Sequence, residues 1–162
     1  TKFTSNTNYA GARTGTVAAA TELYGAGSAE VTAVENAWAA VNVGTRPGGV
    51  IFENPTNIPI PDLSVVTSPI SVTGRAGNAP ATLRVGVDII HTWRGDLVIE
   101  LVAPDGSAYL LKSSNSIDSA DNVQTTYTVN ASSEVANGTW RLRVRDVARY
   151  DTGYINSWKL TF

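Results

Sequence analysis

Two periodicities divide the chain. Before residue 46, apolar positions recur at spacings of three and four: Val17, Ala20 and Tyr24, then Val31, Val34, Trp38 and Val41. That is the spacing of one face of a helix. Asn8 is placed to cap the first helix through its side-chain oxygen, and the Gly25 to Gly27 stretch ends it. Ser28 caps a second helix, with Glu30 in its first turn where the helix dipole favours an acid, and Gly44 stops it. The expectation is a short N-terminal helical hairpin. A unit of about 45 residues is below the size that usually folds alone, so its apolar stripes need a partner.

From Val50 the period becomes two. Leu83, Val85, Val87 and Ile89 alternate with Arg84, Gly86 and Asp88, and Leu97, Ile99 and Leu101 alternate with Val98 and Glu100. Leu142 and Val144 alternate with Arg141, Arg143 and Arg145, while Trp158, Leu160 and Phe162 share a face opposite Lys159 and Thr161. Each such strand has one buried and one wet side, which predicts antiparallel sheets in two layers. Pro104-Asp105-Gly106 reads as a turn. The fold class expected is therefore mainly β, an antiparallel β-sandwich or jelly roll preceded by the helical hairpin. Five of the seven prolines fall between Pro47 and Pro69, predicting a loop-rich lead-in with an edge strand at most. Domain boundaries are expected at 1–46 and 47–162, with the Pro-Gly-Gly-containing stretch 45–49 as a hinge.

Composition narrows the function. At 162 residues with 43% hydrophobic and 16% charged positions, the chain can bury a core. Its net charge of −2, without a basic cluster, argues against nucleic acid as a partner. No run approaches the ~18 apolar residues of a membrane span. With no cysteine, disulfides and thiolate chemistry are excluded. Thr1 does not read as a natural start, so a longer parent is expected.

Few residues suggest chemistry. His91 is the single histidine, and no nucleophile-elbow pattern surrounds any serine. It is expected to be a structural histidine near a strand end. Arg94-Gly95-Asp96 spells an integrin-type tripeptide, yet it sits where a strand begins, and Asp96 is expected to accept backbone N–H bonds there. Arg141, Arg143 and Arg145 form a stripe on one strand face. It is expected either to be neutralised by acids on neighbouring strands or to dock an acidic partner. Asp118 and Asp121, flanked by Asn115 and Asn122, form an oxygen-rich loop and a candidate calcium site, with Asp96 as a third donor. Asp62, Asp146 and Asp151 are further possible donors. Trp93, Trp140 and Trp158 are candidates for stacking on a sugar, although Trp158 and Trp140 fall in the core register.

The blocks His91-Thr92-Trp93-Arg94-Gly95-Asp96-Leu97, Pro104-Asp105-Gly106, Gly138-Thr139-Trp140 and Trp158-Lys159-Leu160 come in an order and spacing that resembles the P domain. That β-sandwich follows the catalytic domain of kexin- and furin-like convertases and of many secreted bacterial proteases. The helical segment, with Ala18-Ala19-Ala20-Thr21-Glu22-Leu23-Tyr24-Gly25 and Ala37-Trp38-Ala39-Ala40-Val41-Asn42-Val43-Gly44, is similar to the C-terminal helices of thermolysin-like zinc metalloproteases. Together the resemblances imply the C-terminal end of a secreted zinc endopeptidase. Its zinc would belong to the parent catalytic domain, because no His-Glu-x-x-His motif is present here. They imply a non-catalytic, monomeric module whose partners are its own catalytic domain and protein substrates. Rival readings are the P domain of a subtilisin-like convertase, a carbohydrate- or matrix-binding sandwich, and a purely structural domain.

Overall fold

The computed structural model describes residues 4–41, 43–44 and 49–162. The chain divides into two compact units, Thr1–Gly49 and Val50–Phe162. Most of the expected hinge, residues 45–48, lies outside the described residues.

The first unit is a helical hairpin of α1 (Tyr9–Tyr24) and α2 (Ala29–Ala40). Both caps expected from sequence form. The Asn8 side chain accepts the Gly11 N–H, and the Ser28 hydroxyl accepts the Val31 N–H. Gly25 closes α1 at φ 88°, a conformation that costs glycine little. The two helices are tied by the Trp38 indole N–H donating to Thr16 Oγ1 at 2.7 Å and by an Arg13–Glu35 pair at 3.8 Å. The apolar stripes are only partly covered: α1 buries Gly15 and Ala20, α2 buries Val31, and Tyr24 and Val41 are exposed. Among the described residues no helix is long and apolar enough to cross a membrane.

The second unit is a sandwich of two antiparallel sheets. Its strands are β1 (Ile51–Asn54), β2 (Ile58–Ile60), β3 (Val65–Val72), β4 (Leu83–His91), β5 (Leu97–Val102), β6 (Ala108–Lys112), β7 (Val123–Val129), β8 (Gly138–Asp146) and β9 (Gly153–Thr161). One sheet runs β1-β9-β4-β7, with β2 following β1 along the same edge of β9, and the other runs β3-β8-β5-β6. The proline-rich stretch contains three strands rather than one at most. All three lie at sheet edges, where a missing N–H costs no ladder bond, so Pro59 and Pro69 are tolerated.

Alternation predicted the core well. Leu83, Val85 and Ile89 of β4, Leu97, Ile99 and Leu101, then Leu142, Val144 and Leu160, are all fully buried. Trp140 and Trp158 join them, which removes the pair of exposed indoles a sugar-stacking surface would need. Each buried indole N–H is satisfied: Trp140 donates to the Ala136 carbonyl and Trp158 to Ser68 Oγ, both at 2.9 Å. The second of these bonds crosses from β9 to β3 and so links the two sheets.

Burial sets the expected order of opening. Amides of α1 and α2, which bury only Gly15, Ala20 and Val31, should exchange with deuterium faster than those of β4, β8 and β9. Hydrogen-exchange mass spectrometry checks this, and equal protection of the two units would contradict it.

Candidate functional site

The outer face of β8 carries the arginine stripe. Strand alternation sends Leu142 and Val144 inward and leaves Arg141, Arg143 and Arg145 outside. The register places Glu100 of β5 beside Arg143 and Thr67 of β3 on its other side. Glu100 Oε2 accepts from Arg143 Nε at 2.9 Å and lies 3.7 Å from Arg145 Nε. A single carboxylate thus serves two guanidiniums. Arg141, opposite Pro69 and Val102, has among the described residues only its strand neighbour Thr139, whose carbonyl its Nη1 meets at 3.5 Å. The stripe is partly neutralised, as the neighbouring-strand reading expects, but it retains a positive excess among the described residues.

At the β4–β5 corner the tripeptide Arg94–Asp96 forms a 3-10 turn instead of beginning a strand. Gly95 and Asp96 are buried, so the tripeptide is not displayed to a receptor. Gly95 is clamped between backbone atoms: its N–H donates to the Asp118 carbonyl at 3.1 Å and its carbonyl accepts the Asn115 N–H at 2.7 Å. A Cβ there would stand 2.3 Å from the Asn115 carbonyl oxygen and 2.5 Å from that of Asp118. Arg94 secures the same loop from its side chain, with Nε bonded to both Asp118 oxygens at 3.0 and 2.9 Å. The ion pair holds the Asp118 carboxyl below its ordinary value and raises the Arg94 guanidinium.

His91 is a structural histidine at the end of β4, as expected. Its Nδ1 lies 3.0 Å from the Trp93 carbonyl oxygen and 3.2 Å from the Trp93 nitrogen. Its Nε2 lies 3.4 Å from Asp146 Oδ2, with both side chains fully buried. Nothing in the sequence analysis joined these two, although the signal was present. His91 continues the inward register of Leu83 to Ile89, and Asp146 continues that of Leu142 and Val144. A polar residue in phase with a core stripe needs a buried partner.

Asp96 differs from its expected role. Its carboxyl is buried, and burial first, then the neighbouring carboxylates Asp146 and Asp151, push its pKa up. The expected cluster of calcium donors is not brought together. Asp118 is occupied by Arg94, Asp121 is exposed, and Asp96 is buried. Asp62 is exposed on a turn, and Asp151 accepts the Thr92 hydroxyl at 2.7 Å. Among the described residues no three His, Asp or Glu side chains are placed to hold a metal ion.

The outer face of the other sheet holds a shallow polar trough of about 300 Å³ over Gly86, with Lys159 lying across the glycine. Of its two carboxylates, Glu53 and Asp88, the latter already accepts from Gln124 and Asn156 at 2.9 and 2.6 Å. A second hollow, of about 440 Å³, lies between β6 and β7 and is lined in part by Arg94, Lys112 and Tyr127.

Two expectations follow. Gly95→Ala drives a methyl into two carbonyls and should cost at least about 2 kcal/mol of stability in denaturant melts; a loss below about 0.5 kcal/mol would contradict the clamp. Asp96→Asn tests the buried acid. Because the folded state holds this proton more tightly than the unfolded chain, stability falls as pH rises from the ordinary aspartate value through the raised one. The variant should therefore be the more stable chain above that window, and the difference should vanish below it. The Arg94–Asp118 pair has the opposite sign, its contribution being lost as pH falls through the lowered Asp118 value. Melts of the Asp96→Asn and Asp118→Asn variants across about pH 3 to 7 separate the two signs.

Comparison with known proteins agrees with this scaffold. Residues 1–43 match the thermolysin metallopeptidase alpha-helical domain, and residues 80–162 match the proprotein convertase P-domain. The chain is 60% identical over 118 residues to leupeptin-inactivating enzyme 1 of Streptomyces exfoliatus, covering 72% of this chain and 27% of that protein. It is 56% identical over 121 residues to the transglutaminase-activating metalloprotease of Streptomyces mobaraensis, covering 74% and 16%. An extracellular basic protease of Dichelobacter nodosus is 34% identical over 122 residues, covering 75% and 20%. The chain thus spans about a quarter or less of these relatives' lengths. Among solved structures, the serine protease of Aeromonas sobria superposes with a TM-score of 0.50 at 21% identity, over 78% of this chain and 29% of that one, a likeness of fold. With more than half its length matched, the chain belongs to the proprotein convertase P-domain family, its sandwich following a segment of the thermolysin-type helical domain.

Proposed function

We propose that this chain is the non-catalytic C-terminal portion of a secreted thermolysin-like metalloendopeptidase, and that its sandwich docks acidic protein surfaces through Arg141, Arg143 and Arg145. The observation that carries the reading is the shared carboxylate. Three guanidiniums project from alternate positions of one rigid strand, and the one carboxylate of Glu100 is shared by two of them, Arg143 and Arg145. Arg141 keeps its fork of donors for a partner, and guanidinium geometry suits paired bonds to a carboxylate. Its setting between Pro69 and Val102 gives the partner some apolar surface. The acidic partner is either a protein substrate or the enzyme's own catalytic domain.

Zinc does not fit the residues present. A zinc centre needs three or four ligands, and the one histidine is buried with its ring nitrogens against Trp93 and Asp146. The parent's zinc would be held by its catalytic domain. The thermolysin-type helical segment favours a metalloprotease parent over a subtilisin-like convertase. Secretion is supported by the extracellular relative named above.

A second role, stabilising the catalytic domain, is separable by experiment. Replacing all three arginines by alanine in the full-length parent should lower kcat/KM on an acidic protein substrate about tenfold, with hydrolysis of a short peptide unchanged. A shortened thermal half-life with unaltered substrate preference would favour stabilisation. No change in either would remove the stripe from the function.

A further inference from the structure

We infer that the free edge of β7 is a binding site for an extended peptide, added as a further antiparallel strand, with a carboxylate side chain of that peptide seated beside Lys112. The two sheets have four edges. On one side of the sandwich the edge strands meet: the Asn54 amide of β1 donates to Ser68 Oγ and to the Pro69 carbonyl of β3. Those strands are also blunted. β1 and β2 are four and three residues long, β2 contains Pro59, and β3 contains Pro69. Prolines and short strands are the usual protection of an edge against pairing.

The opposite side is different. β6 has five residues, ends in a lysine and carries a register shift against β5. β7 has no protection of any kind. Its seven residues, Val123 to Val129, contain no proline and no charge, and they pair with β4 through seven consecutive positions without a bulge. Valine, threonine and tyrosine favour a pleated strand. Gln124, Thr125, Thr126 and Thr128 are exposed. Among the described residues, the backbone of 123–129 makes no hydrogen bond outside its ladder to β4. The donors and acceptors on its outer side are therefore open to an added strand, a recurrent mode of peptide recognition.

The hollow between β6 and β7 indicates what such a peptide carries. Its volume is about 440 Å³, and Leu111, Val123, Thr125 and Tyr127 form its apolar and hydroxyl walls. Arg94 and Lys112 line it against one lining carboxylate, Asp118, which is already committed to Arg94. Lys112 spends two ammonium donors on the Leu97 and Ser113 carbonyls at 3.1 and 3.2 Å. An ammonium has three donors, so one remains. Partial burial strengthens whatever that donor meets, and the charge left uncompensated in the lining is positive. A side-chain carboxylate from a strand on β7 satisfies both conditions. This site is distinct from the arginine stripe, which lies on the outer face of β8.

The test uses the 162-residue chain and a capped synthetic octapeptide of alternating threonine and valine with one central glutamate. Titration followed by amide NMR and hydrogen exchange should show saturable protection at alternate positions of 123–129. Methylating alternate amide nitrogens of the probe should abolish binding, because only the ladder is disturbed. Lys112→Met, or lysine in place of the probe's glutamate, should weaken binding about tenfold. The inference is overturned if the probe protects no β7 amide, or if the methylated probe binds equally well. It is also overturned if sedimentation shows β7 occupied by a second copy of the chain. Equal affinity for the glutamate and lysine probes would overturn the carboxylate assignment.

Discussion

The sandwich depends on joining two sheets through a dry core while pairing most of the polar atoms buried in it. Trp158 on β9 shows how this is achieved. Its indole fills the interior while its N–H reaches Ser68 on the facing sheet. Ser68 is itself fully buried and accepts a second bond from the Asn54 amide on β1. One hydroxyl thereby holds β9, β1 and β3 together. Losing it would leave the buried indole N–H unpaired, which costs more than the bond itself contributes. Trp140 repeats the solution within its own corner by donating to the Ala136 carbonyl.

The same requirement is only partly met at the corner where β4 leads into β5, where His91 Nε2 and Asp146 Oδ2 are buried without a hydrogen bond. The inward registers of β4 and β8 end in His91 and Asp146, and the two side chains meet where no water reaches them. Gly95 and Arg94 bind the loop that returns through Asp118, and that loop carries the chain across to β7. The residues that mark the family are therefore largely scaffold. They close one side of the fold and, by positioning the 113–122 loop, leave the β6–β7 seam open. The exposed arginine stripe of β8 and the β7 edge lie outside that scaffold.

Much of the fold was legible in the order of residues. Asn8 and Ser28 marked their helices, and the period-two stripes named the core of four strands. The candidate sites were less legible. The arginines were visible as a stripe, but Glu100 became their partner only through the β5–β8 register. Asp118 looked like a calcium donor until Arg94, twenty-four positions earlier, was found against both its oxygens. Asp96 looked like a turn residue, and it is one, but its side chain is also a buried acid. The prolines before Pro69 read as loop, because proline forbids a central strand yet permits an edge strand, and a single sequence cannot distinguish the two positions.

What the sequence determined alone follows from local geometry. Side chains alternate across a strand and recur along a helix whatever surrounds them, so the inward and outward faces are written in the chain itself. Strand order, register and the identity of the exposed edge are different in kind. They are set by pairing between segments far apart, such as β1 with β9 or β3 with β8, and no local pattern encodes them. Only the tertiary structure therefore decided which acid meets which base, and that β7 is one of the sheet edges.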